Sequence, residues 1–356
     1  MSINHLPSEI LEDIISFALP LHPSPASILQ TCSTFNDIGT KQLYTRLGFY
    51  SLTQLDRFLY TFAGDQNVGE MGSTSSISSS STRQSWTRPI PYRPRTVEFS
   101  FINDVKAQLF FKMHSLFLMY LRLNPGDDGG ESPQVLQVHP KLELDALHLK
   151  CYSHTRDGNL EMIRLALGLV NPTKFIWTGP DPPHHFSIAI VAQAVPHLFQ
   201  ALHGFTNLQE LKLTHIELSN WPKAVGLPIT PSTRRVYIGQ ATHVSPTMVA
   251  SGVLLAGNAP AFQLEQVRLV DAYKESIWGP RVRRSDILAA ALNVARQSVI
   301  QVLGVMGEGG DHARDRSDGS LDEDAIEELV RQRTLCQAKS GRINGGECVT
   351  LPSDLV

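Results

Sequence analysis

One short apolar template recurs along most of the chain and restricts the fold more than any other feature. Its clearest copy has Leu208, Leu211 and Leu213. Leu144, Leu147 and Leu149 match it, as do Leu264, Val267 and Leu269. Weaker copies are Thr233, Val236, Ile238; Thr173, Ile176, Thr178; and Val299, Val302, Gly304. Their last positions are 149, 178, 213, 238, 269 and 304, giving steps of 29, 35, 25, 31 and 35 residues. A further candidate strand, Val97 to Phe101, lies one longer step upstream. Helical patterns fill the intervals at 160–169, 187–202, 248–257 and 285–297. Alternating strands and helices imply an α/β fold. One such unit cannot bury its own apolar face, so several must stack.

One strand and one helix per unit resembles the leucine-rich repeat, with longer and irregular steps. The resemblance implies an irregular α/β solenoid over 96–340. The rival is a doubly wound sheet, which shares the alternation. In a solenoid the middle residue of each strand faces outward on the concave side. That places His148, Trp177, Lys212, Tyr237, Arg268 and Leu303 in one column. Aromatic and basic side chains in a column suit recognition of a target protein segment; a solvated strand face without a partner is the plainer alternative.

Residues 1–60 have a different pattern. Ile10, Ile14 and Phe17 fall at helical spacing, with Leu11, Ile15 and Ala18 beside them. The apolar arc is wide enough to meet the domain on one side and a partner on another. Ser8 is a candidate N-cap, and Pro20, Pro23 and Pro25 are expected to end the helix. Ile28, Leu29, Cys32 and Phe35 continue at spacings of three and four, and Leu43, Tyr44 and Leu47 close the pattern.

This segment resembles an F-box. The resemblance rests on Leu6-Pro7 opening a helix, the apolar pairs one turn later, the Leu29, Cys32, Phe35 element, and the closing run from Leu43 to Leu47. It covers about 45 residues, with Phe35 and Tyr44 where the family commonly carries Trp. The whole chain is similar to divergent fungal F-box proteins. The resemblance implies a three-helix module that docks on a Skp-type adaptor and, through it, a cullin-RING ubiquitin ligase. Carried over by motif, Leu6, Pro7, Ile10, Leu11 and Ile14 would form one part of the docking surface. Ile28, Leu29, Cys32 and Phe35 would form the other. The plainer alternative, less favoured on these residues, is that they form the core of a small helical cap.

Composition divides the chain and limits its chemistry. Residues 73–82 are Ser or Thr at nine of ten positions and run into Pro89, Pro91 and Pro94, which reads as a linker or long loop over 61–95. Other breaks are expected at 124–133 and 307–320, with a flexible tail over 341–356. The helical pattern at 321–335 is expected to cap the array. A net charge of −3 gives no overall footprint for nucleic acid. The run from Ala107 to Leu121 carries Lys112 and His114 and is too short to span a bilayer. Four cysteines without a C-x-x-C pair make neither a disulfide framework nor a zinc ribbon. An acidic N-terminus argues against a signal peptide. Together these point to the cytoplasm or nucleus.

No P-loop, Gly-x-Ser-x-Gly elbow or His-Glu-x-x-His helix occurs. His184-His185 has no further ligand at metal spacing. No catalytic residue, metal or cofactor is therefore expected. The expected function is substrate recognition for a Skp-cullin-F-box ubiquitin ligase, without membrane or nucleic-acid partners. The alternatives are an interaction scaffold whose F-box no longer binds an adaptor, and an enzyme with scattered catalytic residues, which no motif supports.

Overall fold

The computed structural model describes residues 6–62, 92–101, 108–123, 140–154, 158–180, 187–222, 225–306 and 322–338. Three helices come first: α1 (Ser8–Leu21), α2 (Pro25–Leu29) and α3 (Ser33–Thr45). Then follow β1 (Arg46–Phe49), α4 (Leu52–Phe62), β2 (Thr96–Ser100), α5 (Leu109–Leu123), β3 (Leu142–Lys150) and α6 (Glu161–Leu167). Next are β4 (Val170–Thr178), α7 (Val195–Leu202), β5 (Glu210–Glu217), β6 (Arg235–Thr242), α8 (Pro246–Asn258) and β7 (Gln266–Ala272). The last are α9 (Arg284–Met306), α10 (Glu323–Arg333) and β8 (Thr334–Gln337).

The protein is α/β, with one eight-stranded sheet in the order β1-β2-β3-β4-β5-β6-β7-β8. Every pairing is parallel. Each strand therefore lies beside its predecessor, and the order never reverses. A doubly wound sheet has such a reversal, and its ligand crevice lies there; this sheet has none.

The two faces of the sheet differ because side chains alternate along a strand. Val97 and Phe99, Leu147 and Leu149, Phe175 and Trp177, Leu211 and Leu213, Val236 and Ile238, and Val267 and Leu269 are all buried. They belong to one hydrophobic cluster with α5 to α9. In α5, Leu109, Phe110, Met113, Leu116, Phe117 and Tyr120 recur at three and four and are buried, the period of a helix lying on a core. The opposite face, through Glu98, His148, Ile176, Lys212 and Tyr237, is half-exposed.

A second, smaller cluster holds α1 to α3 together: Leu11, Ile15, Leu19, Phe35 and Ile38, with Leu6, Ile28, Leu29 and Cys32 packed on it. Gly39 permits the approach. A Cβ there would stand 2.2 Å from Leu29 Cδ2 and 3.6 Å from Leu19 Cδ1. Residues 46–62 pack instead with the sheet, through Leu47, Phe49, Leu55 and Phe62.

Several local expectations change. The template at Val299 to Gly304 lies inside α9, so Leu303 is helical and has no place in a strand column. Short apolar runs do not separate strand from helix by periodicity. Thr334–Gln337 is a strand, although the helical pattern of the sequence extends to Leu335. Pro7 rather than Ser8 caps α1, its carbonyl accepting from the Ile10 and Leu11 amides at 3.1 Å each. Helix α1 runs through Pro20 to Leu21. The Ser-rich segment, the breaks at 124–133 and 307–320, His184-His185 and the tail at 341–356 lie outside the described residues.

Candidate functional site

The N-terminal helices combine a thin core with an apolar outer stripe. Leu11, Ile15 and Leu19 take the inner side of α1. Ile10, Ile14, Phe17 and Leu21, at 46%, 39%, 74% and 83% exposure, take the outer side. Steps of four, three and four keep them on one face. Acidic Glu9 and Asp13 flank the stripe, and Glu12 is tied to α3 by Lys41 at 3.2 Å. Among the residues expected to dock an adaptor, Pro7, Ile10 and Ile14 are exposed. Leu6, Ile28, Leu29 and Cys32 are half-buried. Leu11 and Phe35 are buried in the cluster itself, where they support the surface rather than form it. Sequence spacing alone missed Leu21; its position eleven residues after Ile10 was the available signal.

The open face of the sheet brings together side chains far apart in the chain. The parallel register places Glu98, His148, Ile176, Lys212, Tyr237, Arg268 and Leu335 side by side on successive strands. His148, Lys212, Tyr237 and Arg268 thus share the row read from the sequence. Trp177 does not. It pairs in register with Leu149 and Leu213, is fully buried, and donates from Nε1 to the Cys151 carbonyl at 3.0 Å. Its ring packs 5.7 Å from that of Phe110. Strand side chains have a period of two, so a one-residue slip exchanges faces. Ile176 takes the outward position. The larger alternating pair Phe175 and Trp177 was the signal for the correct register.

Tyr237 is the fixed point of this face. Its ring lies over Gly239, where a Cβ would meet Tyr237 Cε1 at 2.7 Å. Lys212 Nζ stands 5.2 Å from the ring centroid and the Arg268 guanidinium 5.7 Å. Cations at these distances are attracted by the ring quadrupole. Arg268 Nε also donates to Gln337 Oε1 at 2.8 Å. Burial pushes the Tyr237 hydroxyl above its ordinary range, against a lowering by Arg268. Burial also holds His148 below the usual imidazole value; Glu98 opposes this, while Lys174 and Lys212 reinforce it. His148 Nε2 is buried without a hydrogen-bond partner among the described residues. In the adjoining row, Glu210 binds both Lys174, at 3.2 Å, and Arg235.

The strands kink beyond this row at matching positions. His215, Gln240 and Asp271 have φ of 58°, 46° and 51°. They fall between the register pairs Thr214, Gly239, Val270 and Ile216, Ala241, Ala272. A left-handed residue costs about 1–2 kcal/mol when it is not glycine. Asp271 is anchored by Arg281 at 3.0 Å, with both side chains nearly buried.

Among the described residues no group of three His, Cys, Asp or Glu could hold a metal ion, and no helix is long and apolar enough to cross a membrane. What the geometry offers is two separate surfaces, one apolar and one cationic. Comparison of the chain with protein-family models, curated proteins and solved structures finds no match.

Proposed function

We propose that this protein is the substrate-recognition subunit of a Skp-cullin-F-box ubiquitin ligase. Helices α1 to α3 act as an F-box and hold the Skp-type adaptor. The sheet acts as a divergent leucine-rich-repeat-like solenoid and holds the target. Catalysis by proximity follows: a target held beside a charged ubiquitin carrier meets it at a raised effective concentration.

The observation that carries this reading is the α1 stripe. Ile10, Ile14, Phe17 and Leu21 are exposed on a helix whose other side already has its own core. Four large apolar side chains exposed together on one helix face form the kind of patch that serves as an interaction site. The sequential parallel order of the strands supports the repeat reading, since each unit packs on its neighbours.

The test is capture of a purified Skp-type adaptor by the full chain. Ile10→Asp with Ile14→Asp alters exposed positions only, so the fold should persist. Capture by the native chain and its loss in the double variant is the expected result. A native chain that ignores the adaptor removes the ligase reading.

A further inference from the structure

The chain carries a net charge of −3, yet the open face of its sheet is cationic. By register the three central rows of that face present Arg46, Lys150, Lys174, Lys212, Arg235 and Arg268 against Glu98 and Glu210, while Glu143, Asp145 and Glu217 stand toward the strand ends. Glu210 is already shared between Lys174 and Arg235. Asp271, beside Tyr237, is already held by Arg281. Among the described residues Lys150 and Arg268 form no ion pair with a carboxylate. The excess positive charge is therefore on the face that, among the described residues, no helix layer covers.

We propose that this face binds an extended acidic protein segment, rich in Asp or Glu, laid across β3 to β7. The proposal rests on the reading of the sheet as the target-binding half and names its ligand class. Lys150 and Lys212 are half-exposed and reach the segment directly. Arg268, 8% exposed, is a fixed charge beneath it. Strands lie about 4.8 Å apart and Lys150 on β3 stands two residues beyond the row of Lys212 on β5, so the two are on the order of 12 Å apart, diagonally across the sheet. An extended chain covers that distance in about three to four residues. Carboxylates about three to four residues apart would meet both lysines, with Ile176, next to Lys212 in its row, available to an apolar residue of the segment.

A nucleic acid would also be attracted by the charge. Single-stranded binding depends on aromatic faces free for base stacking. The Tyr237 ring is occupied instead by Gly239 against it and by Lys212 and Arg268 over it. Across β3 to β7 the face therefore offers charge without a free stacking platform, the exposed Tyr50 ring lying at the β1 edge against Gly48, which favours an acidic peptide.

The experiment uses the full chain and fluorescein-labelled dodecamers read by anisotropy. The probes are alternating Glu-Gly, Gln-Gly and Lys-Gly peptides, a phosphoserine-Gly peptide, and oligouridylate. The Glu-Gly peptide should bind, with affinity falling as salt rises from about 50 to 300 mM. Lys150→Glu with Lys212→Glu should weaken it at least about tenfold, and the milder Lys150→Gln with Lys212→Gln should weaken it in the same direction. Equal binding of the Gln-Gly peptide, no binding of the Glu-Gly peptide, or unchanged affinity in both variants overturns the proposal. So does tighter binding of oligouridylate or of the phosphoserine peptide. Adaptor capture on the same preparations separates the two ideas. A chain that captures adaptor but ignores acidic peptide retains the ligase role alone, and the converse retains only the acidic-segment site.

Discussion

The helices α1 to α3 and the sheet solve the burial problem at different scales. The sheet packs its inner face into one cluster that runs from Leu47 to Val330. Among the described residues the three N-terminal helices share Leu11, Ile15, Leu19, Phe35 and Ile38 as buried core. The large core can spare a whole polar face, and its outward row is free to carry charge. The small core cannot spare apolar surface, yet it leaves Ile10, Ile14, Phe17 and Leu21 outside. Apolar residues left outside a core that needs them point to a partner; charged residues outside a core that does not need them point only to a surface whose chemistry can be tuned.

The strongest way to break this comparison is to strike each core. Trp177→Ala removes a fully buried ring and its bond to the Cys151 carbonyl. It should destabilise the sheet by about 3–5 kcal/mol, read by urea denaturation. A loss below about 1 kcal/mol would place Trp177 on the surface after all. Leu11→Ala should cost about 2–4 kcal/mol but act locally. Hydrogen exchange should quicken in α1 to α3 and stay slow in β3 to β7. Equal quickening in both would show one cooperative unit rather than two clusters.

Charge sharpens the contrast further. Burial, first among the causes, holds His114, His148, His154 and His203 below the ordinary imidazole pKa. The unfolded chain therefore takes up protons near pH 6.5 that the folded chain resists. The stability these neutral groups contribute is complete above that pH and is lost as the pH falls toward the lowered folded values. Tm should drop between pH 7.5 and 5.5, and His148→Gln should flatten the drop. A Tm that rises on acidification would reverse the assignment. The smallest effect belongs to Ile10→Asp, an exposed change that should alter stability by less than about 1 kcal/mol.

The strands announced themselves where both inner residues were large and aliphatic, as in Leu147 with Leu149 and Leu211 with Leu213. Between β3 and β5 the template slipped by one residue, because Ile176 and Thr178 fit it as well as Phe175 and Trp177 do. Period-two geometry then turned that slip into a wrong face for Trp177. The four-residue strands β1 and β8 left no template at all, since Arg46–Phe49 and Thr334–Gln337 each continue directly from a helix. The α1 stripe was legible as a wide apolar arc. Which side of it stays open depends on where α2 and α3 pack, and spacing along α1 does not contain that. The charge asymmetry of the open face was hidden for a similar reason: its cations come from six strands, and only the register assembles them.

The most direct test is the adaptor affinity of three full-length proteins, measured by calorimetry: the native chain, Ile10→Asp with Ile14→Asp, and Lys150→Glu with Lys212→Glu. Two separate surfaces predict that the first and third bind a Skp-type adaptor equally well and the second does not. No binding by the native chain, or equal loss in both variants, would contradict the account.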